Sequence, residues 1–290
     1  MSNLNKVILT PNPYRDKNFQ TVRESLRVLK EAGLEVKVCL PFAVDRGCEL
    51  PKDIYFSRLD RELPTASMVI CFGGDGTILH MSKTATRHGV PMLGVNIGTM
   101  GFMAELESGE VEQLSRLATG DYSIVNRMML DVTVHRDRDI IFHDICLNDA
   151  VVTKGAVARI IHTAVHCDGV QAMDCGGDGV IIATPTGSTA YSLSAGGPIV
   201  EPEAHSILIT PICAHDVASR CIVASDKRVI TVNLTHNARQ NAFLSVDGGK
   251  ALRMNMGDIL TVRKSNLVTK LVCLKERSFY DVVNNKFRIG

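Results

Sequence analysis

An uninterrupted apolar run that ends in a glycine-rich turn constrains the fold of this chain more than any other feature. The run is Ser67–Phe72, and Gly73-Gly74-Asp75-Gly76-Thr77 follows it directly. A short strand without polar alternation is typical of a parallel sheet that is covered on both faces. Helical spacing of apolar residues then continues from about Ile78 to His88. The segment therefore predicts a strand, a tight turn and a helix, which is the repeating unit of an α/β sheet.

Strand and helix signals alternate through the first 120 residues, and strand signals alone dominate afterwards. Short apolar strands are predicted at Lys6–Thr10, Leu34–Leu40 and Met92–Asn96, with helical spacing between them. Beyond Asp121 the segments are rich in Val, Ile and Thr, and Asp139–Thr153 reads as one long strand. We predict an α/β N-terminal domain with a parallel sheet over residues 1–121. A β-rich C-terminal domain is predicted over 122–275, and a closing helix within 276–290.

Charge and cysteine content exclude several classes of function. The chain has 32 basic and 31 acidic residues, and this formal net charge of +1 gives no long-range attraction to nucleic acid or to an anionic membrane. Its nine cysteines form no CxxC pair, which favours reduced thiols over disulfides or zinc. No apolar stretch approaches the roughly 18 residues that span a bilayer, and no signal peptide is evident. We expect a cytoplasmic protein without nucleic-acid or membrane partners.

The turn after the apolar strand carries the strongest chemical signal. Free amides at such a turn and at the start of the following helix favour anions, and glycine lets a ligand approach the backbone. Asp75 is out of place in a simple phosphate cradle, because its negative charge would repel the phosphate. A carboxylate there suits a general base or a partner for Mg²⁺, whereas the alternative interpretation is a helix N-cap. The spacing matches neither a Walker A loop nor a GxGxxG fingerprint.

Three further segments contain candidate binding residues. Gly177-Asp178-Gly179 precedes Thr184–Pro198, where hydroxyls and amides at a helix start could hold ribose or phosphate oxygens; a Ser/Thr-rich cap is the alternative. Asn148 and Asp149 are poor strand formers inside a predicted strand, which indicates either a site or a surface β-bulge. The loop Gly94–Phe102 follows another strand, and its aromatic residue could pack in the core or stack on a base.

In combination, these segments resemble the NAD kinase family. The Gly-Gly-Asp-Gly-Thr element alone is shared with lipid kinases and phosphofructokinases, and the block from Thr184 to Pro198 is more specific. The similarity extends over most of the chain, from about Val69 to Asp281. The matching pieces are Gly73–Thr77, Gly94–Phe102, Asn148-Asp149, Gly177–Pro198, Thr210–Cys213 with His215, and Ser245–Gly248.

The resemblance implies a NAD kinase/diacylglycerol kinase-like fold whose final helix packs back on the first domain. It implies an ATP-dependent kinase in which Asp75 accepts the proton of the 2′-hydroxyl on the adenosine ribose of NAD, giving NADP and ADP. Mg²⁺ or another divalent metal would enter with ATP, and the second domain would bind NAD and mediate assembly into a homodimer or homotetramer. The phosphate loop would comprise Gly73, Gly74 and Thr77. The implied NAD-binding residues are Gly76, Phe102, Asn148, Asp149, Asp178, Thr186, Thr189, Ala190 and Tyr191.

Two other functions remain open from the sequence. A lipid kinase of the diacylglycerol or sphingosine type would share the Asp75 loop, although the hydroxyl-rich segment Thr184–Tyr191 favours a polar nucleotide. A non-catalytic dinucleotide sensor would need no base at Asp75. The nine histidines form no cluster with metal-ligand spacing, so we expect no metal fixed by the protein alone. Gly176 stands where several relatives have a larger polar or basic residue, which leaves the preference between NAD and NADH open.

Overall fold

The computed structural model describes residues 4–45, 47–98, 101–155, 160–215, 219–235, 242–276 and 278–287. The chain forms two compact units. The first comprises residues 1–126 together with 269–290, and the second comprises residues 127–268. The domain boundaries predicted from the sequence, at 121/122 and 275/276, lie within seven residues of these bounds and stay a prediction.

The first unit contains a parallel sheet of short strands. They are β1 (Lys6–Pro11), β2 (Glu35–Cys39), β3 (Phe56–Ser57), β4 (Met68–Gly73), β5 (Met92–Asn96) and β6 (Leu106–Glu107). Their order in the sheet is β3-β2-β1-β4-β5, and β6 also pairs with β5. All of these pairs are parallel, and Leu271 from the last strand of the chain adds a parallel pair with Met92.

Helices connect these strands, as the alternating sequence pattern predicts. The α-helices are α1 (Gln20–Glu31), α2 (Leu59–Glu62), α3 (Asp75–Arg87) and a C-terminal helix (Phe279–Phe287). The 3₁₀ segments are Lys17–Phe19, Leu63–Thr65 and Ser108–Thr119. Among the residues that the structure describes, no helix combines the length and the apolar character needed to cross a bilayer.

Strand β4 is buried on both faces, which confirms the prediction made from its continuous apolar run. Met68, Ile70 and Phe72 pack in one core cluster with side chains of α1 and of the 3₁₀ segment Ser108–Thr119. Val69 and Cys71 face the opposite way and pack in a second cluster with side chains of α3. Because both faces are occupied, the carboxyl end of β4 is where this strand can present polar groups.

The second unit is built from two antiparallel sheets. The strands are β7 (Ser123–Arg136), β8 (Asp139–Cys146), β9 (Asp149–Lys154), β10 (Ile161–Cys167), β11 (Val170–Gly177), β12 (Gly179–Ala183), β13 (Ser206–Ile212), β14 (Ile222–Ser225), β15 (Ile230–Leu234), β16 (Ala242–Val246), β17 (Leu252–Met254) and β18 (Ile259–Cys273). The unit boundaries fall inside β7 and β18, so residues 123–126 and 269–273 of these strands belong to the first unit. One sheet has the order β11-β10-β15-β18-β7-β8 and the other β14-β13-β12-β9-β16-β17.

The large core of this unit joins both sheets. Val132 and Val232 of the first sheet pack in one cluster with Val152 and Ile182 of the second. Side chains on the other face of the second sheet, such as Ile181 and Leu208, form a smaller cluster, against which Ala195 and Val200 pack. The chain segment after β12 therefore covers the outer face of the second sheet.

The prediction of one strand over Asp139–Thr153 is wrong. The chain leaves β8 at Cys146 and enters β9, in the other sheet, at Asp149. Leu147 and Asn148 form a bend between them. Because Asn and Asp are weak strand formers, they tolerate this change of sheet at little cost.

Candidate active site

The glycine-rich turn lies at the carboxyl end of β4, beside the end of β5. Gly73 pairs with Asn96, and the Ile97 N–H donates to the Gly73 carbonyl over 3.2 Å. A Cβ atom on Gly73 would lie 2.3 Å from Oγ1 of Thr77, so a side chain cannot be accommodated there. Gly74 is the N-cap of α3, and the exposed Gly76 is the second residue of this helix. The two glycine-rich strand ends are therefore neighbours in the sheet.

Asn12, which follows the adjacent strand β1, positions the turn, although it was not among the predicted site residues. Its N–H donates to the Phe72 carbonyl over 2.9 Å, and its side-chain Nδ2 donates to Thr77 Oγ1 over 3.0 Å. Its Oδ1 accepts from the Tyr14 N–H over 3.0 Å. Asn12 follows β1 between two prolines, and this polar residue at the end of a buried strand was the available signal.

Asp75 is the first residue of α3, and its side chain does not cap the helix. One oxygen, Oδ2, accepts from the Phe102 N–H over 2.8 Å, and Oδ1 accepts from the Met103 N–H over 3.1 Å. A Cβ atom on Gly101 would lie only 2.0 Å from Oδ1. The alternative interpretation of Asp75 as an N-cap is therefore wrong. The carboxylate fastens the loop after β5 and keeps further lone pairs for a donor.

Phe102 packs against the C-terminal helix instead of entering the core. Its half-buried ring lies 6.5 Å from the ring centroid of Phe279 and 6.1 Å from that of Phe287. The Lys286 ammonium is 4.4 Å from the Phe102 centroid, within cation–π range. Thr99 and Met100 of the same loop lie outside the described residues.

In the second unit, the bend between β8 and β9 carries Asn148 and Asp149. Both residues are largely buried, with exposed fractions of 9% and 6%. Burial raises the pKa of the Asp149 carboxyl to about 7, and the nearby charge of Asp247 acts in the same direction. Asp149 is therefore poised to change its charge near neutral pH, so it can offer a proton to an acceptor or accept one from a donor.

The hydroxyl-rich segment after β12 packs directly on this bend. Thr184 donates its N–H to the Asn148 carbonyl over 2.9 Å and its Oγ1–H to the Leu147 carbonyl over 2.5 Å. Its Oγ1 also accepts from the Gly187 N–H over 3.0 Å. A Cβ atom on Gly187 would lie 2.2 Å from the Asn148 carbonyl oxygen, so only glycine allows this close approach.

Most predicted NAD-binding residues of the second unit lie near that contact. The 3₁₀ turn Thr186–Thr189 contains two of them, and Thr189 Oγ1 donates to the Thr186 carbonyl over 3.2 Å. Within the described part of the chain, the buried Oγ1 of Thr186 has no hydrogen-bond partner, so it is free for a ligand. Ala190 is half-buried, and Tyr191, 44% exposed, begins the one-turn helix Tyr191–Ser194.

Asp178 lies apart from these residues. It precedes β12, whereas Thr184 follows this strand, and in the register Gly179 is opposite Thr153 and Ala183 opposite Asp149. Five strand residues therefore separate the two ends, a span of about 17 Å. Asp178 forms an ion pair with Lys154 at 2.6 Å. Its predicted contact with NAD stays a prediction.

No group of three or more His, Cys, Asp or Glu side chains within the described ranges is arranged to hold a metal ion. All nine cysteines are free thiols. Burial raises the pKa of Cys71 to about 12, so this thiol stays neutral and forms part of the core.

Family models match both parts of the chain. The ATP-NAD kinase N-terminal domain matches residues 7–122, and the ATP-NAD kinase C-terminal domain matches residues 147–274. The NAD kinase of Acetivibrio thermocellus is 36% identical over 282 residues, which cover 97% of this chain and 96% of the relative. The NAD kinase of Natranaerobius thermophilus is 38% identical over 289 residues, which cover 99% of both chains.

Two solved structures of NAD(H) kinases are also similar to this chain over nearly its full length. Yeast NADH kinase in complex with NADH superimposes with a TM-score of 0.86 at 25% identity, covering 100% of this chain and 90% of that one. An NAD kinase from Archaeoglobus fulgidus in complex with ATP has a TM-score of 0.75 at 26% identity, covering 98% of this chain and 100% of that one. On the matches to both family models and to full-length relatives, this chain belongs to the NAD kinase family.

Proposed function

We propose that this chain is an ATP-dependent NAD kinase, which transfers the γ-phosphoryl group of ATP to the 2′-hydroxyl on the adenosine ribose of NAD. The observation that carries the proposal is the setting of Asp75. Asp75 is the first residue of α3 and lies just beyond a strand that is buried on both faces. Its carboxylate accepts hydrogen bonds from the backbone amides of Phe102 and Met103, in the loop after β5. A dinucleotide sensor needs no such group, whereas a kinase needs a base directed at a hydroxyl.

Asp75 would act late, as the oxygen attacks. An ordinary carboxylate is a weak base toward an alcohol, so it helps chiefly by accepting the proton in a loose, largely dissociative transition state. The amides of Phe102 and Met103 hold it in one orientation, which reduces the entropy lost on reaching the reactive geometry. The amide of Gly76 lies at the start of α3, where a helix offers N–H groups without an intrahelical partner, and it suits the phosphates of the nucleotide.

A divalent ion such as Mg²⁺ fits this arrangement as a companion of ATP. Mg²⁺ usually keeps several waters and is held largely by substrate phosphates, so ATP would fix its place and Asp75 would stay available as the base. When bound, the ion would neutralise charge on the transferring phosphoryl group. The task left to the protein is then to hold Asp75 and the helix amides in place around the nucleotide.

The second unit would hold NAD. Asn148 and Asp149 present polar side chains from one bend, and the turn Thr186–Thr189 offers the unpartnered hydroxyl of Thr186. The exposed ring of Tyr191 can stack on a planar ring of the dinucleotide. From the family resemblance we also propose contacts with Ala190 and Asp178, a homodimeric or homotetrameric state, and a cytoplasmic location.

The direct test incubates purified protein with ATP, Mg²⁺ and NAD and measures NADP with an NADP-specific dehydrogenase. We expect NADP to form. If NAD binds without turnover, the protein is a sensor. Phosphorylation of diacylglycerol or sphingosine in vesicles instead of NAD would make it a lipid kinase.

A second test asks whether Asp75 takes part in the chemistry. Asp75→Asn is expected to lower kcat by about 100-fold or more, because general-base catalysis contributes a factor of that size. NAD affinity should change by about twofold or less, since Asp75 is assigned to the transition state. Asp60→Asn, an exposed residue of α2, is the matched control and should leave kcat unchanged. An Asp75→Asn protein with wild-type kcat would remove Asp75 from the mechanism.

A further inference from the structure

One carboxylate accepts hydrogen bonds from three successive amides of the bend that carries Asn148 and Asp149. Asp247 Oδ2 accepts from the Leu147 N–H over 3.0 Å, and its Oδ1 accepts from the Asn148 and Asp149 N–H groups over 2.8 and 3.2 Å. The N–H of Asp247 itself donates to the Asp149 carbonyl over 2.9 Å. Four hydrogen bonds thus join Asp247 to a segment about 100 positions away in sequence.

The bend needs a partner of this kind. The chain crosses there from one sheet to the other, so these amides leave the ladder of β8 before β9 is fully paired. Leu147 is completely buried, and Asn148 and Asp149 are nearly so, which means that solvent cannot satisfy their amides. Three amides that converge on one point form an anion-binding nest, and a carboxylate suits it better than a neutral side chain.

The backbone of Asp247 is also fitted to this position. Asp247 has a φ of +50° and Gly248 a φ of +67°, in the connection between β16 and β17. Asp and Asn are the non-glycine residues that tolerate this conformation best. Asparagine would therefore keep the backbone shape, but it would turn one acceptor into a donor facing an amide N–H and would remove the negative charge.

The opposite side of the same bend is held by Thr184, which donates to the Leu147 and Asn148 carbonyls. The amides on one side of the bend and the carbonyls on the other are thus both hydrogen-bonded, so the main chain from which the Asn148 and Asp149 side chains extend is fixed. The proximity of Asp247 also contributes to the raised pKa of Asp149.

We infer that Asp247 is a positioning residue for NAD binding, which fixes the main chain of residues 147–149 so that Asn148 and Asp149 meet the dinucleotide in a defined orientation. The inference rests on the proposed function. Asp247 would act through the bend, with no contact to the reacting atoms.

The test compares wild type with Asp247→Asn in NADP formation, with NAD and ATP varied separately. We expect KM for NAD to rise about tenfold, as the loss of a charge-assisted hydrogen bond implies, while KM for ATP changes by about twofold or less. Asp139→Asn, an exposed residue at the start of β8, is the matched control and should leave both constants unchanged. Equal effects on NAD and ATP, or an unchanged KM for NAD, would overturn the inference.

Two further measurements test the inference if the Asp247 variant does not fold or if the wild type forms no NADP. If Asp247→Asn does not fold, Thr184→Val removes the partner on the other side of the bend, and the same selective rise in KM for NAD is expected. If wild type forms no NADP, the proposed function fails. Amide hydrogen exchange of residues 147–149 then decides the inference separately. Protection in wild type that is lost in the Asp247 variant supports the nest, and unchanged protection refutes it.

Discussion

Replacing Asp149 with asparagine should remove a charge that destabilises the folded protein as the pH rises. The side chain is 6% exposed, and burial together with the charge of Asp247 moves its pKa from 3.8 to about 7. A pKa shift of this size means that ionising Asp149 costs about 4 kcal/mol more free energy in the folded protein than in the unfolded chain, at 1.36 kcal/mol per pKa unit. The asparagine side chain of the variant would carry no charge at any pH, so this contribution would be absent from it.

The direction in which stability changes with pH follows from proton binding. An acid whose pKa is raised by folding binds its proton more tightly in the folded state, so the folded protein holds more protons than the unfolded chain between pH 3.8 and about 7. The contribution of Asp149 to stability is therefore intact below pH 3.8 and is lost as the pH rises through 7. Roughly 2.5 kcal/mol of the loss falls between about pH 5 and about pH 8.

Urea unfolding at about pH 5 and about pH 8, without NAD, measures this difference. Relative to Asp149→Asn, the wild type should lose roughly 2.5 kcal/mol of unfolding free energy between these two conditions. The Asp139→Asn variant, changed at an exposed position, is again the control and should follow the wild-type pH dependence. Parallel stability curves for wild type and the Asp149 variant would refute the reasoning, because Asp149 would then titrate alike in both states.

Two glycine substitutions test the close contacts at the proposed site. Gly101→Ala would place a methyl group 2.0 Å from Oδ1 of Asp75, so we expect kcat to fall by about tenfold or more through displacement of the carboxylate, whereas Gly109→Ala, with open space around it, should keep wild-type activity. Gly187→Ala would place a methyl group 2.2 Å from the Asn148 carbonyl oxygen, so we expect a loss of about 2 kcal/mol in urea unfolding and weaker NAD binding. Wild-type kcat in the first variant, or wild-type stability in the second, would show that these contacts adjust freely.

The sequence was sufficient where the signal was local. The continuous apolar run of β4 predicted a strand covered on both faces, since only such a strand can dispense with polar alternation. Asn148 and Asp149 stood out as poor strand formers within a predicted strand, but the change of sheet that occurs there was not predicted. Strand β13 (Ser206–Ile212) was not predicted, although every one of its residues is buried.

The contacts that hold the site together could not be read from the sequence. Asp247 and Leu147 are 100 positions apart, and Asn12 and Thr77 are 65 apart. Neither pair has a spacing that any local pattern specifies. The sequence drew attention to Asp75 as an unusual carboxylate, but its amide partners Phe102 and Met103 belong to the loop after the next strand, which only the folded sheet places beside it.

The first unit is made from both ends of the chain, and this has a consequence for how the protein emerges from the ribosome. Val272 and Leu274 belong to its core, and the N–H groups of Leu274 and Lys275 each donate to Glu105 over 2.7 Å. A nascent polypeptide that has reached residue 126 therefore lacks part of its apolar interior until residues 127–268 have also been translated. During that interval the part of the β5 edge that later pairs with Leu271 stays open, so synthesis of the second unit is the period in which the growing chain is most exposed to aggregation and to chaperone binding.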